Sequence, residues 1–431
     1  MPMLSRRQLM WSGAAASLTA MLPWGRRRAH AHAVGPSKNL IILLAGGGWD
    51  TSYSIDPKPA GGGVDVPTGT ITTHGMIDVL EDPSRPAIGD FFARHGAITA
   101  VVRGISMPSV AHAVCTQSIL TGARNETSPD LAAIVANTHG NDLPIPYLVL
   151  GDQGFAGPYA ASMGRVGATN QLAALLDPQA AYPVIGATRQ STFVPTSSDE
   201  SYIRAYTLAR AERQRVTHGA TGYNRRRVDD FVGSLTRGDR LRELRVGLGA
   251  PGTVLGLQAQ RQLALDALGT GISRTVMISA QQYFDTHELN SNQGPSQQFL
   301  FSNLAELVDS LKGREGRQSG TTMMDDTVVL VVSEMGRTPR LNGTTAAAGK
   351  DHWPITSALV IGTDLAGGRV YGGTSSTGEA ELVNFTTGAT GTGANVRSLE
   401  PRHLCAGVLA ACGVDPAIHL PEAEVFRAFM S

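Results

Sequence analysis

The residues best suited to chemistry are acids and imidazoles at the ends of apolar runs. Asp50 follows "NLIILLAGGG" in "GGGWDT", Asp285 and His287 form "FDTH" after "RTVMISA", and Glu334 ends "VVLVVSE". Asp351 and His352 form "KDHW", shortly before the run "SALVIG". Carboxylates and imidazoles together suit a divalent cation, zinc or manganese first and calcium as a third candidate, and an α/β sheet builds such a site from several strand ends. Each residue also has a plainer role. Asp50 could cap the turn after it, Glu334 could pair with Arg337, Asp285 and His287 could lock their loop, and Asp351 could orient His352 from behind.

A second constellation is "SMPSVAHAVCTQSILTG", residues 106–122. Ser109 reads as the N-cap of a helix closing at "TG", and His112 falls on its first turn. A helix N-terminus favours anions, so His112 and Ser109 are candidates for work on a phosphate or sulfate group. In "SEMGRTPRLNG", Arg337 and Arg340 either hold their loop or receive that anion.

These residues need a rigid sheet to gather them. Continuous apolar runs at 39–48, 97–105, 146–151, 274–280, 326–334 and 357–362 read as strands covered on both faces. Helical patterns lie between them: "AIGDFFARHG", "SPDLAAIVANTHG", "SQQFLFSNLAELVDSLKG" and "PRHLCAGVLAACG". Alternating strands and helices predict an α/β protein, a three-layer α/β/α sandwich with a mostly parallel central sheet. Residues 200–248 are charged and helical in pattern, so a helical insertion is expected at about 199–268. Residues 372–395 read as a long loop with a short hairpin.

The N-terminus carries a different message. Arg6 and Arg7 precede a small-residue apolar stretch, and "AHA" occurs twice in 29–33, the order of a twin-arginine export signal. Residues 1–33 are then the signal, residues 34–431 the working domain, and the location periplasmic or extracellular. The whole chain has 36 basic and 36 acidic residues. The signal holds five arginines and no acid, which leaves 31 basic residues against 36 acidic ones. No basic stripe remains to neutralise phosphates, so nucleic acid is excluded as a main partner. Beyond the signal no run of about eighteen apolar residues suggests a membrane span. Cys405 and Cys412 sit two helical turns apart, ~10 Å and beyond disulfide reach, so all three cysteines read as buried thiols.

In order, "GGGWDT", "AHAVCTQSILTG", "FDTH", "SEMGRTPRLNG" and "KDHW" resemble the domain of unknown function 1501 family, secreted relatives of the alkaline phosphatase and sulfatase superfamily. The resemblance covers about residues 38–430. It implies an alkaline-phosphatase-like sandwich with metals at the carboxyl ends of the strands. Asp50 and Glu334 match acids of one metal site; Asp285, His287 and His352 resemble ligands of the other. Two departures stand out. Met335 follows Glu334 where active phosphatases have histidine, and the place of the nucleophilic hydroxyl or thiol falls on His112. The implied function is an exported metal-dependent hydrolase of small-molecule phosphate or sulfate esters. The alternative is a non-catalytic metal-binding scaffold whose partner is an envelope component.

Overall fold

The run Asn39–Leu44 forms the first strand, β1, with all six residues buried. Its side chains divide by the two-residue period of a strand. Ile41 and Leu43 enter one apolar cluster with Phe91, Leu300 and Leu304, and Leu40, Ile42 and Leu44 enter another with Ile119, Ile134 and Leu409. A strand apolar on both sides must lie inside, which is why the run does not alternate with polar residues.

The computed structural model describes residues 36–123, 125, 127–166, 196–217, 222–244 and 254–431. The expected export signal lies outside them. The further strands are β2 (Thr70–His74), β3 (Ile77–Glu81), β4 (Thr99–Ser106), β5 (Tyr147–Val149), β6 (Met163–Arg165) and β7 (Thr275–Ser279). After them come β8 (Thr327–Val332), β9 (Gly336–Arg337), β10 (His352–Trp353), β11 (Ile355–Ile361) and β12 (Arg369–Gly372). The longer helices among the described residues are α1 (Ala87–His95), α2 (His112–Thr121), α3 (Leu131–His139), α4 (Ser197–Thr217), α5 (Gly222–Leu244), α6 (Leu257–Gly269), α7 (Gln293–Gly313) and α8 (Pro401–Ala411).

Eight strands form one sheet in the order β12, β4, β11, β8, β1, β7, β5, β6. All pairings are parallel except those of β11, which runs against both β4 and β8. Helices α1, α6 and α7 cover one face, and α2, α3 and α8 cover the other. The result is the expected mostly parallel three-layer sandwich. All six apolar runs named above contribute strands to this sheet. The interval 199–268 contains most of α4, all of α5 and most of α6 and no strand among its described residues; α6 packs into the sheet's own core through Leu263 and Ala264.

The reversed strand matters for the site. The parallel strands β4, β8, β1 and β7 all end at one rim, where a sheet of this kind exposes its ligand-binding loops. Because β11 runs the other way, the residues just before it, Asp351 and His352, arrive at that same rim. No helix among the described residues is long and apolar enough to cross a membrane.

Candidate metal centre

Three loops bring His112, Asp285, His287 and His352 together. His112 opens α2, six residues beyond β4. Asp285 and His287 follow β7, and His352 precedes β11. His112, Asp285 and His352 can each place one ligand atom within 4.8 Å of the others. His287 completes the group: its Nε2 lies 2.9 Å from His352 Nε2 and 3.2 Å from Asp285 Oδ1. His352 Nε2 is also 3.2 Å from Asp285 Oδ1, and His112 Nε2 is 3.5 Å from Asp285 Oδ2. The four side chains are 20–43% exposed, so the cluster faces solvent.

The partners of the other ring nitrogens set the tautomers. His352 Nδ1 is 2.8 Å from the Val110 carbonyl, which can only accept, so Nδ1 carries the hydrogen. His287 Nδ1 donates to Asp351 Oδ1 at 2.8 Å, and His112 Nδ1 donates to Glu334 Oε1 at 2.7 Å. In each neutral ring the lone pair is then on Nε2. Three lone pairs and a carboxylate converge, and His112 Nε2 is buried without a hydrogen-bond partner. Facing lone pairs repel unless a positive charge lies among them, so the donor set fits a cation. Each imidazole also has the outer acceptor that fixes metal-binding histidines.

Asp285 is held by Arg337. Burial alone would raise its carboxyl, but the Arg337 guanidinium, hydrogen-bonded to it and charged, holds it below the usual carboxylate range. Arg337 is fully buried and grips three loops. Its Nη2 donates to Asp285 Oδ1 at 2.5 Å and to the Gly47 carbonyl, Nε to Gly48 O at 2.8 Å, and Nη1 to Lys350 O at 2.9 Å. The guanidinium thus pairs with Asp285, not with Glu334, and is committed to holding loops instead of receiving an anion. Arg340 likewise ties its loop to Asp65 at 2.8 Å.

Two acids expected at the ion stand elsewhere. Asp50 lies outside the cluster, where its carboxylate accepts from Ser52 N at 3.1 Å, Ser52 Oγ at 2.6 Å and Asn290 Nδ2 at 3.0 Å, with Lys350 Nζ at 2.8 Å. It caps the short turn Thr51–Tyr53. Glu334 stands behind His112: Oε1 takes both the imidazole hydrogen and the Gly47 amide, each at 2.7 Å, and Oε2 takes Ser333 Oγ at 3.2 Å. Asp351 orients His287 instead of His352. The Ser109 cap is also corrected. The helix cap is Ala111, and Ser109 Oγ accepts from Ala111 N at 3.1 Å, forming the turn that precedes the helix. Met335 is fully buried in the core.

Gly47 permits the closeness of this arrangement. It has φ of 114°, and a Cβ there would stand 2.8 Å from Asp285 N. Its amide and carbonyl serve Glu334 and Arg337 at once. This contribution, like the Val110 carbonyl and the Lys350 side chain, lies beyond residue-type reasoning because backbone groups and single lysines carry no spacing signal.

Among solved structures, similarity extends to a protein in the alkaline phosphatase superfamily from Vibrio parahaemolyticus, with 13% identity, 89% of this chain and 69% of that chain covered, and a TM-score of 0.39. A sulfatase from Pseudoalteromonas sp. gives 10% identity, 88% and 68% coverage and a TM-score of 0.35. The alkaline phosphatase from the Antarctic bacterium TAB5 gives 10% identity, 76% and 92% coverage and a TM-score of 0.33. No curated protein sequence matches this one. Residues 37–418 match the family described as "Protein of unknown function (DUF1501)", and the chain belongs to that family.

Proposed function

We propose that this protein is a metal-dependent hydrolase of phosphate or sulfate esters, exported by the twin-arginine route to the periplasm or beyond the cell. The observation that carries the reading is the convergence of three imidazole lone pairs and one carboxylate on a solvent-facing point of the sheet rim. Three nitrogens and one oxygen suit zinc first and manganese second; calcium prefers roughly six to eight oxygens. A divalent ion bound there supplies Lewis acidity to an ester oxygen. The chain's own residues position and neutralise. Glu334, Asp351 and the Val110 carbonyl hold the three rings, and Arg337 neutralises Asp285, so an incoming anion meets no uncompensated carboxylate.

Among the described residues no free hydroxyl or thiol stands in the cluster. Ser109 Oγ is turned to the Ala111 amide, and the Cys115 thiol is buried and pushed up to about 11, by burial first and by Glu334 second. Water is therefore the nucleophile in this reading. Its oxygen bonds to phosphorus or sulfur, the bond to the ester oxygen breaks, and the alcohol leaves carrying the proton that the water gives up.

The test is turnover of aryl phosphates and aryl sulfates by purified protein loaded with zinc or manganese. Metal-dependent hydrolysis that His352→Ala abolishes without unfolding supports the proposal. An inert protein that still binds the ion favours the second reading, a metal-binding envelope scaffold, for which the missing side-chain nucleophile is the specific support.

A further inference from the structure

The Lys350 ammonium is the least expected charge near the rim. The residue is 1% exposed, and its only ion-pair partner among the described residues is Asp50, itself buried. The 2.8 Å separation from Asp50 Oδ2 is an ion-pair distance, but the ammonium lies off the direction of a hydrogen bond and makes none elsewhere. It borders a cavity of about 30 Å³ shared with Asp50, Ser52, Trp353 and Ser357, and Ser357 Oγ there also has no partner. Such a cavity has room for one or two waters.

Asp50 has little left to offer a metal. A carboxylate has about four lone-pair directions. Ser52 N, Ser52 Oγ and Asn290 Nδ2 take three, and the Lys350 ammonium lies 2.8 Å from Oδ2. The lysine is also fixed from its backbone: Lys350 N donates to Thr286 O at 2.9 Å, and Lys350 O receives Arg337 Nη1. The ammonium is thus anchored between the loop of Asp285 and His287 and the pair Asp351 and His352. A buried acid requires a counter-charge, and here the chain itself provides one.

We infer that Lys350 is a built-in cation that satisfies Asp50 permanently, so that the protein takes up one divalent ion, at His112, Asp285, His287 and His352, and none at Asp50. The inference rests on the metal-centre reading and deepens it: the rim is mononuclear because a side chain fills the place where a second ion would sit.

The test is zinc stoichiometry by elemental analysis and native mass spectrometry, with thermal melting beside it. The wild type is expected to hold one ion. Asp50→Asn keeps that ion while melting lower, because Lys350 loses its partner. Lys350→Met frees Asp50 and is expected to gain a second, weaker equivalent with a zinc-dependent rise in melting temperature. The double variant Asp50→Asn/Lys350→Met removes both charges and is expected to return to one ion; if Lys350→Met does not fold, Lys350→Gln, which removes the charge but keeps a long polar side chain beside Asp50, takes its place with the same expected second equivalent. Two ions in the wild type, or loss of the ion in Asp50→Asn, overturns the role of Lys350 and leaves the four-residue centre standing. A folded Lys350→Met protein that stays at one ion also overturns it. No zinc in wild type under any loading overturns the metal centre itself.

Discussion

Glu334 Oε1 receives the Nδ1 hydrogen of His112 and the backbone amide of Gly47 together, each at 2.7 Å. One buried oxygen thereby joins the loop after β1, the first turn of α2 and the end of β8, and it sets which nitrogen of His112 carries the lone pair.

Replacing that oxygen separates geometry from charge. In Glu334→Gln an amide oxygen can still accept from both donors, and the new amine can donate to Ser333 Oγ. Zinc affinity is expected to fall roughly tenfold, with little loss of stability, as for other outer partners of a metal-binding histidine. Glu334→Ala leaves the Gly47 amide unpaired, at a cost of about 1–3 kcal/mol, and frees the His112 ring, so affinity should fall roughly a hundredfold. Chelator competition and urea unfolding measure the two quantities. Equal affinity in both variants would show that Glu334 does not position His112.

Arg337 is expected to behave as a clamp. Its fork serves three carbonyls and Asp285 from a fully buried position, and a lysine cannot reproduce planar, multiply directed donation. Arg337→Lys should destabilise the fold by about 1–3 kcal/mol, the usual cost of leaving buried carbonyls without their donors, and loosen metal binding. A variant that melts normally and shows only a higher KM would restore the role of anion receptor.

The fold was legible because a strand buried on both faces leaves an uninterrupted apolar run, and β1, β4, β5, β7, β8 and β11 all do so. The edge strand β12 and the hairpin β2 and β3 escaped notice: "RVYG" ends in glycine, and "TITTH" is largely exposed and polar. At the rim, strand-end placement names loops that do meet but cannot say which way a side chain turns. Asp50 and Asp285 have the same residue type and the same position after a strand. They differ in neighbours that come from far along the chain, Lys350 and Asn290 for one, Arg337 and His352 for the other. Likewise Asp351 Oδ1 accepts from His287, 64 positions away, at 2.8 Å.

Asp130 gives the chain a distinctive pH response. It caps α3 through the Ala133 amide at 2.7 Å and accepts from Tyr147 OH and Phe155 N, yet full burial pushes its carboxyl up to about 6 against those hydrogen bonds. The ordinary value is 3.8. The folded state therefore binds this proton more tightly than the unfolded state. The group's contribution to stability grows as pH falls from about 7 to about 3 and is flat beyond those limits, a total of ~3 kcal/mol. Stability of the wild type relative to Asp130→Asn should rise by that order over the window, measured by denaturant unfolding at each pH. Distant carboxylates cancel in the difference. A flat difference would mean that the carboxyl stays ordinary despite its burial.

Gly349 tests whether loop contact carries metal affinity. A Cβ at this position would stand 2.1 Å from both the carbonyl carbon and oxygen of His287, which are backbone atoms and cannot swing aside. The contact is latched on both sides. Asn342 Nδ2 donates to His287 O at 2.8 Å, Gly349 N donates to Asn342 Oδ1 at 2.9 Å, and Lys350 N donates to Thr286 O at 2.9 Å. Gly349→Ala must therefore push the segment carrying Asp351 and His352 away from the one carrying Asp285 and His287. The expected cost is about 3 kcal/mol, the upper end for overpacking. Zinc affinity should fall in the same variant, although no ligand has been altered, because the two halves of the cluster no longer meet. Gly343→Ala, in the same loop with only Ala348 Cβ at 3.5 Å, should change neither quantity. Melting and chelator competition on the two variants decide the matter: a destabilised Gly349→Ala protein with unchanged zinc affinity would show that the ion does not need both loops.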